Sequence, residues 1–145
     1  MILPVKRNSD GKQMFLALQS VPFGPNRANV GIYFKALESL NDYFTPKAFA
    51  SNWTGKKQIS QMGSAYSTMV WQKDDKVGFF YEESTYGADY TNVYKALTLE
   101  EITDEAFSYD ATVKRPMEDA NAIQYSDLTK VTQLLGHKGV GFPLA

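Results

Sequence analysis

A tyrosine and a carboxylate brought to one strand end could do chemistry together, and one stretch of this chain offers both. GSAYSTMVWQKDDKVGFFYEE, residues 63–83, opens near Tyr66 and closes on Glu82 and Glu83. Strand alternation puts Tyr66, Thr68 and Val70 on one face, with Ser67, Met69 and Trp71 on the other. On the following strand Gly78, Phe80 and Glu82 share a face, opposite Val77, Phe79, Tyr81 and Glu83. A tight turn at Asp74-Asp75 then carries Tyr66 and Glu82 to the same end of the hairpin, away from the turn. A tyrosine hydroxyl ionises near pH 10, so it becomes a useful nucleophile only when a base assists it. The plainer reading of the same geometry is an aromatic at a strand start and solvated acids at a strand exit.

The elements that must position these residues are limited first by composition. The chain has 145 residues, 43% hydrophobic and 21% charged, which is one globular domain's worth with enough material for a core. A net charge of −1 gives no basic field, and this speaks against generic nucleic-acid binding. Nine Tyr, nine Phe and two Trp favour strand-rich architecture and would also suit sugar-stacking surfaces. The absence of cysteine excludes disulfides and thiolate chemistry. The start, MILPVKRNSDGK, reads as neither a signal peptide nor a membrane span.

Along the chain the pattern predicts strands at residues 12–20, after the Asp10-Gly11 turn signal, and at 28–37. ESLNDYFTPKAFASNWTGKK reads as a long connection. Strands at 66–73, 76–83 and 91–96 follow, then a short helix announced by the Thr98…Glu101 capping box. From about Pro116, Ile123, Leu128, Val131, Leu134 and Leu135 recur at helical spacing, with Gly136 as a stop. The expected fold is therefore mainly β, an antiparallel meander over residues 1–115 with a helical tail over 116–145. His137, the lone histidine, has no cysteine or acid cluster at ligand spacing, and neither a metal nor a cofactor is expected. Trp53 and Trp71 read as packing residues, and Lys56-Lys57 and Asp74-Asp75 as solvated turns.

YSTMV, the DD turn and VGFFYEE together resemble the tyrosine motif of the bacterial exo-sialidases and trans-sialidases, glycoside hydrolases built on a six-bladed β-propeller. Upstream, NRANVGIYFKAL is similar to the segment carrying the last arginine of that family's arginine triad. The resemblance covers residues 1–102, and it implies the C-terminal blades of a propeller. It implies Tyr66 as nucleophile, Arg27 as the ligand of the substrate carboxylate, and Glu82 as the group orienting another triad arginine; Glu83 is the neighbouring candidate, which strand alternation turns the other way. A sialic acid bears its carboxylate on the anomeric carbon, so a neutral tyrosine avoids the repulsion a carboxylate nucleophile would meet. Arginine offers that carboxylate a planar, permanently charged fork.

The family's Ser-x-Asp-x-Gly-x-Thr-Trp box is absent, and ESLNDYFTPKAFASNW stands in its place. An acid/base aspartate, a glutamate that activates the tyrosine and two more arginines are also missing, since neither Arg7 nor Arg115 sits in a matching frame. With roughly 40–50 residues per blade, the chain holds two to three blades' worth and cannot close a six-bladed ring. The resemblance thus implies a piece of a longer exo-α-sialidase, acting on terminal sialic acids of glycans once the N-terminal blades are present, inactive alone, and periplasmic, cell-surface or secreted. The tail, LLGHKGVGFP, looks like the Val-Gly-Tyr-Pro stretch of small helical modules appended to surface glycosidases of gut bacteria, and reads equally as an amphipathic helix packing on the last blade. Two other readings remain open: a non-catalytic sialoglycan-binding propeller, and a purely structural strand domain.

Overall fold

The computed structural model describes residues 1–85 and 88–114, without the side chains of 85, 88 and 89. The expected helical tail, with Arg115 and His137, lies outside the described residues. Met1–Val113 forms one compact unit. It is mainly β and antiparallel throughout, as the sequence pattern predicts. Strands β1 (Ile2–Arg7), β2 (Gln13–Pro22), β3 (Val30–Leu37) and β4 (Gly55–Gln58) pair in chain order as a four-stranded meander. A short strand, β8 (Phe107–Tyr109), adds itself beside β1. The second sheet consists of β5 (Ser64–Trp71), β6 (Val77–Thr85) and β7 (Ala88–Leu97), in that order. Two short helices, α1 (Pro46–Ala50) and α2 (Leu99–Thr103), lie in the connections.

The two sheets bury their alternating apolar faces in one core. Leu16, Leu18, Val30, Ile32 and Phe34 come from the first sheet, Val77, Phe79 and Tyr81 from the second, and Leu99 and Ile102 from α2. The Thr98–Glu101 capping box is formed as expected: the Thr98 hydroxyl accepts from the Glu101 amide at 3.1 Å, and the Glu101 carboxylate accepts from the Thr98 amide at 2.7 Å. Burial of Leu99 and Ile102 docks this single turn of helix, which would be too short to persist alone.

Three strands, β1, β4 and β8, exceed the sequence expectation. In β1, Pro4 cannot donate to a ladder, yet β8 pairs only from Val5 onward, and the Pro4 carbonyl accepts from the Asp110 amide at 3.1 Å. Polar β4 forms because Gly55 admits the Phe34 ring where any Cβ would collide with it. Lys56 and Lys57 therefore lie in a strand rather than a turn: Lys56 Nζ stands 5.1 Å from the Phe23 ring, and Lys57 bonds Asp104 at 2.5 Å. The β5–β6 hairpin also differs in detail. Gln72 N–H bonds the Lys76 carbonyl at 2.9 Å across Lys73, Asp74 and Asp75, and Asp75 takes a left-handed φ of 59°. This is a three-residue loop ending in a left-handed residue, not a two-residue turn.

Candidate functional site

Arg27 sits in the tight loop between β2 and β3, whose shape follows from its residue types. Gly24, Asn26 and Asn29 adopt left-handed φ values of 88°, 56° and 59°, the region where Gly and Asn are tolerated best. The Asn29 side-chain amide donates to the Gly24 carbonyl at 2.6 Å and closes the loop. The loop is then tied to the start of β5. Ser64 N–H bonds the Arg27 carbonyl at 2.9 Å, Asn29 N–H bonds the Met62 carbonyl at 2.9 Å, and Ala28 bridges Gly63. Buried Ser64 completes the joint: its hydroxyl accepts from the Val30 amide at 2.8 Å and donates to the Met62 carbonyl at 3.0 Å. The Arg27 backbone is thereby fixed two residues before Tyr66 on the neighbouring strand.

An irregularity the sequence does not announce separates outward Tyr66 from buried Ser64, two residues before it. Ser64 pairs with Glu83 and Ser67 with Tyr81, so Ala65 and Tyr66 together oppose Glu82 in a β-bulge. Tyr66 is 66% exposed, and its ring centroid lies 4.5 Å from Arg27 Cζ. The Tyr90 ring, at 5.9 Å, is the second aromatic near the same guanidinium. The Arg27 pKa is raised, first by the side-chain hydrogen bond with Tyr66, against an opposing desolvation cost; the charges of Tyr66, Tyr90 and Glu82 add to the rise. The structure thus brings Arg27, Tyr66 and Glu82 together at one end of the second sheet, on its solvent-facing side.

Glu82 and Glu83 part company as strand alternation requires. Glu82 pairs with Asn92 and opposes the bulge at Tyr66, whereas Glu83 accepts the Ser60 hydroxyl at 2.7 Å beneath the sheet. Tyr81, 1% exposed, has its phenol pushed up to about 12, foremost by burial and then by the charge of Glu83 and the hydrogen bond with it. Ser60, Glu83 and Tyr81 form a polar layer under the candidate site.

Other residues singled out by sequence take structural places. Arg7 is held by Asp10 and Glu38, each at 2.7 Å, far in sequence from the Tyr66 cluster. Trp71 packs on Tyr109 with ring centroids 4.7 Å apart, and Trp53 on Tyr33 at 5.7 Å. A cleft of about 560 Å³ lies between β4, β7 and α2, lined by Lys57, Lys95, Glu100 and Asp104 among others. It includes none of Arg27, Tyr66 or Glu82, so the convergent chemistry and this open cleft do not coincide. Among the described residues no group of His, Cys, Asp and Glu could hold a metal ion, and no helix is long and apolar enough to cross a membrane. No protein-family model and no curated protein matches this chain.

Chemically, the arrangement offers a guanidinium lying over an aromatic ring, a phenol beside it and a carboxylate across the bulge. A guanidinium carries five N–H donors, so those not bonded to Tyr66 can serve an anion. Tyr90 and Ser64 belong to this site and were not foreseeable. Tyr90 acts from a strand break, and Ser64 from a joint between sheets.

Proposed function

We propose that this chain is part of an exo-α-sialidase of the β-propeller type, hydrolysing terminal sialic acids of glycoconjugates. The observation that carries the reading is the meeting of Arg27, Tyr66 and Glu82, drawn from separate elements, at one strand end. Two features of the fold support it. β1–β4 are four antiparallel strands paired in chain order, the strand number and order expected of a propeller blade, although β8 adds a fifth strand at the edge. The outer face of the second sheet exposes Val70 (58%), Phe80 (43%) and Tyr94 (52%) beside Tyr66, an apolar area of the kind that an adjoining sheet would cover.

In this reading the edge of Arg27 grips the sialic acid carboxylate. The Tyr66 oxygen forms a bond to the anomeric carbon as the glycosidic bond breaks, and the departing oxygen takes a proton from an acid supplied by another blade. The tyrosine's own proton passes to a base, also from another blade. Water then attacks the same carbon, releasing sialic acid and restoring the phenol. Glu82 holds a further arginine of the carboxylate site, and its charge already acts on Arg27.

The test is turnover of a fluorogenic sialoside by a protein that includes the preceding blades. Tyr66→Phe removes only the phenolic oxygen, so kcat should fall at least about 100-fold, a share typical of a covalent catalyst, with substrate affinity little changed. Arg27→Lys should chiefly raise KM. A Tyr66→Phe protein with wild-type kcat refutes the nucleophile assignment. Sialoside binding without turnover in the wild-type protein would favour a sialoglycan-binding propeller.

A further inference from the structure

Tyr90 is a bulky residue in a backbone conformation that such residues rarely adopt. Its φ is 57°, within β7 and next to the register break between Glu83 and Thr85. The other described non-glycine residues with positive φ are Asn, Asp and one Glu; Tyr90 is the aromatic among them. Local sequence preference does not explain this choice, because Gly or Asn would occupy the position with less strain. Strain of this kind persists where the surroundings impose it, and it gathers at binding and catalytic sites. The Tyr90 side chain is half exposed, so burial in the core is not what offsets the strain. Its ring instead lies 5.9 Å from Arg27 Cζ, while Tyr66 lies at 4.5 Å from the same atom.

We propose that Tyr90 is a positioning residue for Arg27, confining the guanidinium with the Tyr66 ring so that its edge stays presented to a substrate carboxylate. An arginine on an exposed loop has several rotatable bonds, and freezing them before the ligand arrives lowers the entropic cost of binding. Rings restrain the guanidinium through its π system and leave its in-plane N–H groups for bidentate contact. Among the described residues, the bulge in β5 lies at Tyr66 and the register break between β6 and β7 lies at Tyr90, the two tyrosines beside Arg27. For its substrate this inference rests on the sialidase reading; for its geometry it does not.

The test uses the full chain labelled with nitrogen-15, comparing wild type with Tyr90→Phe and Tyr90→Gly. The first readout is the heteronuclear NOE of the Arg27 Nε–Hε group, and the second is the melting temperature. Tyr90→Phe keeps a ring and should leave Arg27 as ordered as in wild type. Tyr90→Gly should loosen Arg27 while leaving the melting temperature equal or higher, because glycine relieves the positive φ. Titration of the protein that includes the preceding blades with N-acetylneuraminic acid should then show affinity about 2- to 5-fold weaker for the glycine variant, in proportion to one exposed cation–π contact. Unchanged Arg27 order in Tyr90→Gly overturns the proposal. So does a lower melting temperature with amides loosened throughout the sheet, which would make Tyr90 a general structural residue. If the wild-type protein with its preceding blades binds no sialic acid but Arg27 still loosens on loss of the ring, the sialidase reading fails and the clamp stands.

Discussion

Replacing Ser64 by alanine removes one oxygen atom, yet it should cost this fold a large part of its stability. Ser64 and Val30 are both fully buried, and the Val30 amide donates to the Ser64 hydroxyl at 2.8 Å. In the alanine variant that donor loses this acceptor, and the space left by a single oxygen is too small to admit water. The Met62 carbonyl also loses the Ser64 hydroxyl but keeps the Asn29 amide, so its loss is the smaller one. An orphaned buried donor costs about 1–3 kcal/mol and the second bond about 1 kcal/mol, together roughly 3 kcal/mol. Against a total stability of about 5–15 kcal/mol, that corresponds to a fall in Tm on the order of 10 °C. Urea denaturation and calorimetry of the chain measure it, with Thr68→Ala on the exposed face of the same strand as a control expected within about 0.5 kcal/mol. The Ser64 amide still bonds the Arg27 carbonyl, so Arg27 should stay beside Tyr66 in the folded variant. A fall no greater than that of the control would refute the view that this hydroxyl joins the two sheets.

Two further outcomes follow from titrating groups. The Tyr81 phenol, pushed up to about 12, contributes stability that is fully present below pH 10 and is lost as pH rises from 10 through about 12. Phenolate absorbance should show one late-titrating tyrosine, and Glu83→Gln should move it down but not back to 10, because burial remains; no late tyrosine would refute this. At the acid end, Arg7 holds the Asp10 carboxyl down at about 2 through its side-chain hydrogen bond, with help from the Lys12 amide, and Lys12 and Arg7 likewise lower Glu38. These contributions are present above about pH 4 and are lost as pH falls toward 2, so Tm should decline over that window and decline less in Asp10→Asn. Equal slopes in the two proteins would contradict it.

Local rules carried a good deal of this structure. The period-two pattern of β5 and β6 sorted Val77, Phe79 and Tyr81 inward, and Tyr66, Thr68 and Val70 outward, because side-chain direction in a strand depends only on parity. The same parity separated Glu82 from Glu83. The capping box at Thr98 and Glu101 was legible because it joins residues three apart and needs no distant partner. What stayed hidden depended on partners remote in the chain. β1, β4 and β8 have weak strand patterns and exist because neighbouring strands accept them, β4 with Gly55 making room for the Phe34 ring. The bulge that lets Ser64 be buried while Tyr66 faces outward arises from the register between two strands, which neither strand encodes alone. Arg27 meets Tyr66 because its loop is hydrogen-bonded to Met62, Gly63 and Ser64, a joint formed only once both sheets are in place. Sequence could therefore name a tyrosine, an arginine and a glutamate as chemically suited to one another. Bringing them to one strand end, with Tyr90 set in a strained backbone beside them, was the work of tertiary pairing, since hydrogen bonds between distant segments decide which surfaces meet.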